Sequence, residues 1–104
     1  MNFVNQETQV ITVYDIQKKK PIGVFRSANM AARYLMPLKD KTKAASLITD
    51  RAKNRQRVHN TILGTVAVRF ANTEQRELLK TSRRGLAYIY EGYPDFKGNK
   101  ALTC

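Results

Sequence analysis

One cysteine, one histidine and no tryptophan occur among 104 residues. Each scarcity excludes something. Cys104 alone cannot form a disulfide within the chain, and with His59 it cannot supply the four ligands of a structural zinc site. A lone free thiol fits a reducing compartment. Acids are scarce as well. The eight Asp and Glu are spread along the chain, and nothing in their local pattern argues for acid/base work or hard-metal binding. The sequence also lacks a phosphate-cradling glycine loop, an HExxH motif, a cysteine pair and a serine elbow. His59 has no carboxylate, cysteine or second histidine placed to orient it, so it reads as a surface or junction residue. The expectation is a protein without catalytic residues, metal or cofactor.

No apolar run approaches the roughly 20 residues that span a bilayer. The opening MNFVNQETQVITVYD lacks the charged start and apolar middle of a secretory signal. A cytoplasmic protein that does not enter a membrane is therefore expected. The length suits one small domain with a single modest core, and a hydrophobic content of 42% with 26% charged residues is ordinary for a folded chain.

What the chain has in excess is positive charge. Nineteen Lys and Arg against eight acids give a formal net charge of +11. Such a chain is drawn to polyanions, and nucleic acid ranks above membrane because no lipid-seeking helix accompanies the charge.

Residues 1–9 read as a polar lead-in. From Val10 to Asp15, β-branched and aromatic residues alternate, with Val10, Thr12 and Tyr14 on one face and Ile11 and Val13 on the other. A second strand, Ile22 to Arg26, follows a short loop, and Pro21 fixes its entry. The lysines of the QKKK tip keep a hairpin tip soluble or, alternatively, contact phosphates. Ser27 is placed to cap a helix through ANMAARYLM with Ala28, Ala31, Ala32 and Leu35 buried, and Pro37 ends it. Alanines on one face allow the close crossing of a helix-turn-helix. Asp40 or Thr42 then caps a second helix, 42–57.

That second helix lies within Lys39 to Arg57, where seven basic residues meet two acids. On a helical wheel Ala44, Ala45, Leu47, Ile48 and Ala52 gather on one side and Lys43, Ser46, Asp50, Lys53 and Arg57 lie opposite, flanked by Thr49, Asn54 and Gln56. Arg51 and Arg55 fall near the apolar side, so either their stems snorkel to water or, the favoured reading, the helix frays near Asn54. A third strand follows in TILGTVAVRFA, with Val66, Val68 and Phe70 opposed to Ala67, Arg69 and Ala71, and Gly64 marks a bend at its start. Asn72 with Gln75 then predicts a capping box for a helix running through Arg83 and Arg84 to Gly85. This helix has Leu78 and Leu79 as its main anchors, so it is expected at the surface or against a partner subunit. Leu86 to Tyr90 can add a fourth strand, and an irregular tail begins at Tyr93 and Pro94. The expected fold class is α+β over one domain: lead-in 1–9, a hairpin, helix-turn-helix and strand unit 10–71, and a helix with an aromatic tail 72–104 as candidate dimer surface.

The string VITVYDIQKKKPIGVFRSANMAARYL resembles the nuclease-associated modular DNA-binding domain of the first type, found at the tails of many intron-encoded and phage homing endonucleases. Val13-Tyr14-Asp15, Ile22 with Phe25, Ser27, Ala31-Ala32 and Tyr34-Leu35 carry the resemblance, which extends more loosely to Gly64 and Val68-Arg69-Phe70. The QKKK tip stands where that family shows a turn residue, and Pro37 to Arg57 is longer and more basic than usual. The resemblance implies a hairpin feeding a helix-turn-helix, DNA binding, and an origin in a phage or mobile element. It implies no cutting activity, since no nuclease domain accompanies the module.

The leading expectation is a small basic DNA-binding protein that contacts double-stranded DNA by placing the basic helix 42–57 in the major groove. Lys39, Lys41, Lys43, Ser46, Thr49, Lys53, Asn54, Arg55, Gln56 and Arg57 form the candidate site. Lys43, Lys53 and Arg57 suit phosphate or guanine, Asn54 and Gln56 suit adenine edges, and Ser46 or Thr49 suits either. Asp50 would repel phosphate, so it accepts from a cytosine amine, pairs locally with Lys53 or Arg57, or marks a face that is not in the groove. A site-specific regulator would use two copies, hence a homodimer. The alternatives are an inhibitor or accessory protein that binds an acidic protein surface, or a single-stranded RNA binder. Both rest on Tyr88, Tyr90, Tyr93 and Phe96.

Overall fold

The structure is a computed structural model that describes residues 10–82 and 85–93, with only the backbone of Lys41. The lead-in 1–9, Arg83, Arg84 and the tail from Pro94, including Phe96, lie outside the described residues. The fold is α+β. Three helices pack with a five-stranded antiparallel sheet of order β3-β4-β1-β2-β5. In chain order the elements are β1 (Ile11–Asp15), β2 (Lys20–Phe25), α1 (Ala28–Leu35), α2 (Lys41–Asn54), β3 (Arg57–Thr61), β4 (Gly64–Phe70), α3 (Thr73–Lys80) and β5 (Ala87–Ile89).

The local signals act where the sequence places them. Ser27 has extended backbone, and its Oγ accepts from the Met30 amide at 3.2 Å, which starts α1. Asp40 does the same for α2, accepting from the amides of Thr42 (2.9 Å) and Lys43 (3.2 Å). Asn72 and Gln75 close the reciprocal box on α3: Gln75 N donates to Asn72 Oδ1 at 2.8 Å, and Asn72 N to Gln75 Oε1 at 3.0 Å.

The β1–β2 hairpin carries a bulge. Val13 pairs with Gly23 and Tyr14 with Pro21, so Ile22 has no partner and turns into the core. A side chain at Gly23 would meet Ile89 Cδ1 at 3.0 Å, Phe25 Cε1 at 3.1 Å and the Tyr88 carbonyl at 3.1 Å. Glycine is what lets β5 close against β2 there.

The sheet is covered unequally. On one face Ile11, Val13, Ile22, Phe25, Val58, Val66 and Val68 are buried beneath α1 and α2, which contribute Ala31, Ala32, Tyr34, Leu35, Ala44, Ile48 and Ala52. Burial of each large member is worth about 1.5–3 kcal/mol. Tyr34 packs on Phe25 with ring centroids 5.1 Å apart, a core role the alanine pattern of α1 did not announce. On the other face α3 sits over β2 and β5, and Leu79 joins Val10, Val24 and Ala71 with Tyr88 and Tyr90 beside them. The apolar side of α3 is thus taken up by its own sheet at Leu79, while Leu78 stays half-exposed.

Several boundaries differ from the expectation, and β2 begins at Lys20, ahead of Pro21, rather than at Ile22. The basic helix ends at Asn54, because Arg55 takes a left-handed conformation (φ 55°) and Gln56 N donates to the Arg51 carbonyl at 2.8 Å. Gln56 and Arg57 therefore do not continue its face, and Arg57 opens β3, a strand the polar string RVHNT concealed. The expected third and fourth strands are β4 and β5. Finally, α3 ends at Lys80 with Thr81 as cap, and the Gly85 amide (φ 61°) donates to the Ser82 carbonyl at 3.2 Å; the expected course through Arg83 and Arg84 falls outside the described residues.

The most consequential polar contact is buried. Thr12 Oγ1 donates to Gln75 Oε1 at 2.9 Å, and Gln75 Nε2 donates to Tyr14 Oη at 2.6 Å. Gln75→Ala removes these bonds and half of the capping box, leaving the Thr12 hydroxyl buried without its acceptor. The expected loss is about 2 kcal/mol in urea unfolding, part of which Thr12→Val restores in the double variant. A loss below about 0.5 kcal/mol would show that this contact does not hold α3 in place.

Candidate nucleic-acid interface

Ala44, Ile48 and Ala52 recur at four-residue intervals and seat α2 on α1 and β4. The opposite side carries Lys43, Ser46, Asp50 and Lys53, all exposed. At about 100° per residue these four fall within an arc of roughly 80°. Thr49 is half-buried and, with Ser46 and Lys53, lines a shallow groove against Asn29 at the start of α1. The structure thus brings Lys43, Ser46, Thr49 and Lys53 together as expected.

Asp50 does not pair with Lys53 or Arg57. Arg51 Nη1 donates to Asp50 Oδ2 at 2.8 Å, and Asn54 Nδ2 reaches both Asp50 Oδ1 and the Asp50 carbonyl at 3.0 Å. The helix ends too early to carry Arg57 to it. The carboxylate is therefore neutralised from within the helix, and the Asn54 amide is spent on it rather than left for a base edge. Arg51 is half-buried in this role.

The other candidate residues spread around the helix ends. Lys39 is exposed in the connection before α2, and the side chain of Lys41 lies outside the described residues. Arg55 and Gln56 are exposed just beyond the helix, where Lys53 and Arg55 complement the carbonyl end of its dipole. Arg57 faces away from α2. Its register partner is Ala67, which pairs in turn with Tyr14, whereas the next residue, Val58, enters the core under α2.

The tyrosines are engaged inside the chain. Tyr88 and Tyr90 stack edge to face at 5.1 Å against the α3 side of the core. Burial first, and then the neighbouring Tyr88, raise the Tyr90 hydroxyl above its ordinary pKa. Tyr93 donates to Asp15 Oδ2 at 2.8 Å, and Lys18 Nζ lies 5.9 Å from its ring centroid. At the hairpin tip Lys19 and Lys20 are exposed. His59 is exposed on β3 with Nδ1 3.1 Å from Thr65 Oγ1. Among the described residues no three His, Cys, Asp or Glu side chains gather to hold a metal ion, and no helix is long and apolar enough to cross a membrane.

The tip holds the clearest electrostatic perturbation. Asp15 accepts from the amides of Gln17 (2.9 Å) and Lys18 (3.1 Å) besides Tyr93. The Lys18 amide first, and then the Tyr93 hydroxyl, hold its carboxyl below the ordinary value. A depressed folded-state pKa stabilises the fold above the ordinary aspartate pKa, and that contribution is lost as pH falls through the depressed value. Thermal unfolding from about pH 6 down to about pH 2 should therefore cost the native chain more than Asp15→Asn. Parallel curves would show the tip bonds to be without thermodynamic weight.

Compared with known protein families, with curated proteins and with solved structures, the chain finds no match.

Proposed function

We propose that this chain is a small DNA-binding protein, acting in the cytoplasm, that presents the outer side of α2 to the major groove of duplex DNA. The observation that carries this reading is the neutralisation of Asp50. With its single carboxylate held by Arg51 and Asn54, the exposed stripe acts as Lys43, Ser46 and Lys53 toward a polyanion. Lys43 and Lys53 are ten residues apart, about 15 Å of helix rise. That span matches a groove about 12 Å wide, so each ammonium reaches a phosphate rim while Ser46 lies between them at the base edges. Arg55, Gln56 and Lys39 extend the contact at the two ends of the helix.

Two further features support the reading. The net charge of +11 supplies long-range attraction. The order hairpin, α1, α2 is also the order expected of the modular DNA-binding domain that Val10 to Leu35 resembles. The protein-partner alternative draws less support, because Tyr88, Tyr90 and Tyr93 already spend part of their surface within the chain.

Affinity for a mixed-sequence duplex, measured as salt is raised, tests the proposal. The native chain should show a steep log-log fall, and the Lys43→Ala, Lys53→Ala variant a slope shallower by about two. An unchanged slope and affinity in a folded variant would remove α2 from the interface.

A further inference from the structure

Among the described residues the second face of the sheet is covered only in part. α3 lies over β2 and β5 and reaches β1 through Gln75. Among the described residues no helix packs on this side of β3 and β4. Ala67 and Arg69 are half-exposed there, whereas Val66 and Val68, their neighbours in β4, are buried under α2. The open half has a defined layout. Arg57, Ala67 and Tyr14 form one cross-strand row, and Arg69 pairs with Thr12 in the next. His59 and Thr65 meet on the same side at 3.1 Å.

This row is a slot. Arg57 and Tyr14 stand two strand spacings apart, roughly 10 Å, and the residue between them is no larger than a methyl group. Tyr14 is fixed as one wall, because its hydroxyl accepts from Gln75 Nε2 at 2.6 Å and leans toward α3. Arg57 is exposed and forms the other wall. Arg69 donates once, to the Val68 carbonyl at 2.7 Å, and keeps further N–H donors for an anion. Neither β3 nor β4 carries an acid.

A flat apolar floor between an aromatic ring and a guanidinium suits a planar ring, and the adjoining cation suits the phosphate attached to it. A paired duplex offers only base edges and cannot enter such a slot. We propose that the open half of the sheet is a second nucleic-acid site, which takes an unpaired base of a single strand on Ala67, between Arg57 and Tyr14, with Arg69 on the neighbouring phosphate. Charge complementarity identifies the occupant: two arginines without acids on their strands, in a chain of net charge +11. The site uses neither Lys43 nor Lys53, so it stands apart from the proposed duplex surface.

The test uses the full chain and a fluorescein-labelled oligothymidylate ten nucleotides long, beside a mixed duplex. Ala67→Val fills the floor with a residue that strands favour, and Arg57→Gln and Arg69→Gln remove the cations. Each should weaken oligothymidylate at least about fivefold, the lower end of the effect of losing one stacked base, and change duplex affinity less than about twofold. The Lys43→Ala, Lys53→Ala variant should do the reverse. In the native chain the Ala67 methyl resonance should move upfield as oligothymidylate is added. Failure to bind oligothymidylate, or binding that Ala67→Val and Arg57→Gln leave intact, would overturn the site while leaving the α2 proposal standing. Equal weakening of duplex and single strand would also overturn it, by showing a plain phosphate contact in place of a slot.

Discussion

Thr12 lies on the central strand with no exposed surface, and its hydroxyl gives its proton to Gln75. A buried hydroxyl without an acceptor costs about 1–3 kcal/mol, so this one bond fixes where α3 can sit. Gln75 is also the third residue of its own helix and closes the capping box with Asn72. The start of α3 and its place on the sheet are therefore set by the same side chain. Because Gln75 binds Thr12 and Tyr14 on β1, and Leu79 joins the cluster of Val10 and Val24, α3 lies toward β2 and β5. The open half of the sheet follows from this placement.

The charge distribution depends on the same economy of acids. The described residues contain two ion pairs, Asp50 with Arg51 and Glu77 with Lys80. The second is exposed at both ends and contributes well under about 1 kcal/mol. The first matters for what it removes from the surface, since an unpaired Asp50 would stand between Lys43 and Lys53 and weaken their attraction for phosphate. Most other cations, including Lys39, Lys43, Lys53, Arg55 and Arg57, are exposed. Such a surface is self-repelling until a polyanion neutralises it.

How much was legible in the sequence follows from the range of each interaction. Ser27, Asp40 and the Asn72-Gln75 box act within three residues, and they start the helices where the sequence places them. The small-residue stripes of α1 and α2 were legible as well, because their spacing is a local property, whereas Tyr34 was not. The end of α2 was only half legible. Fraying near Asn54 could be expected, but nothing local announces a left-handed arginine at position 55. β3 was hidden because only Val58 of its five residues enters the core. A helical wheel consequently puts Arg57 on the wrong face, and its row with Ala67 and Tyr14 depends on pairings across residues far apart in sequence. The alternation of Ala67 and Arg69 with Val66 and Val68 was visible, but which face stays uncovered is decided by where α3 docks.

β3 also has to solve a problem of its own. It is one of the two outer strands of the sheet, unpaired on its other side among the described residues, and such an edge invites pairing with another chain. Its side chains oppose that. Arg57 places a charge at the entry, and between Val58 and Thr61 the ladder shifts, with Asn60 in a left-handed conformation (φ 61°). The strand is then tied back, because the Ile62 amide in the turn that follows donates to the Leu35 carbonyl at the end of α1, at 2.9 Å. Charge, bulge and tether keep the edge short and unsuited to strand addition, so what β3 offers is its side chains. Arg57 serves both ends: it deters a second strand at the edge and forms one wall of the slot on the open face.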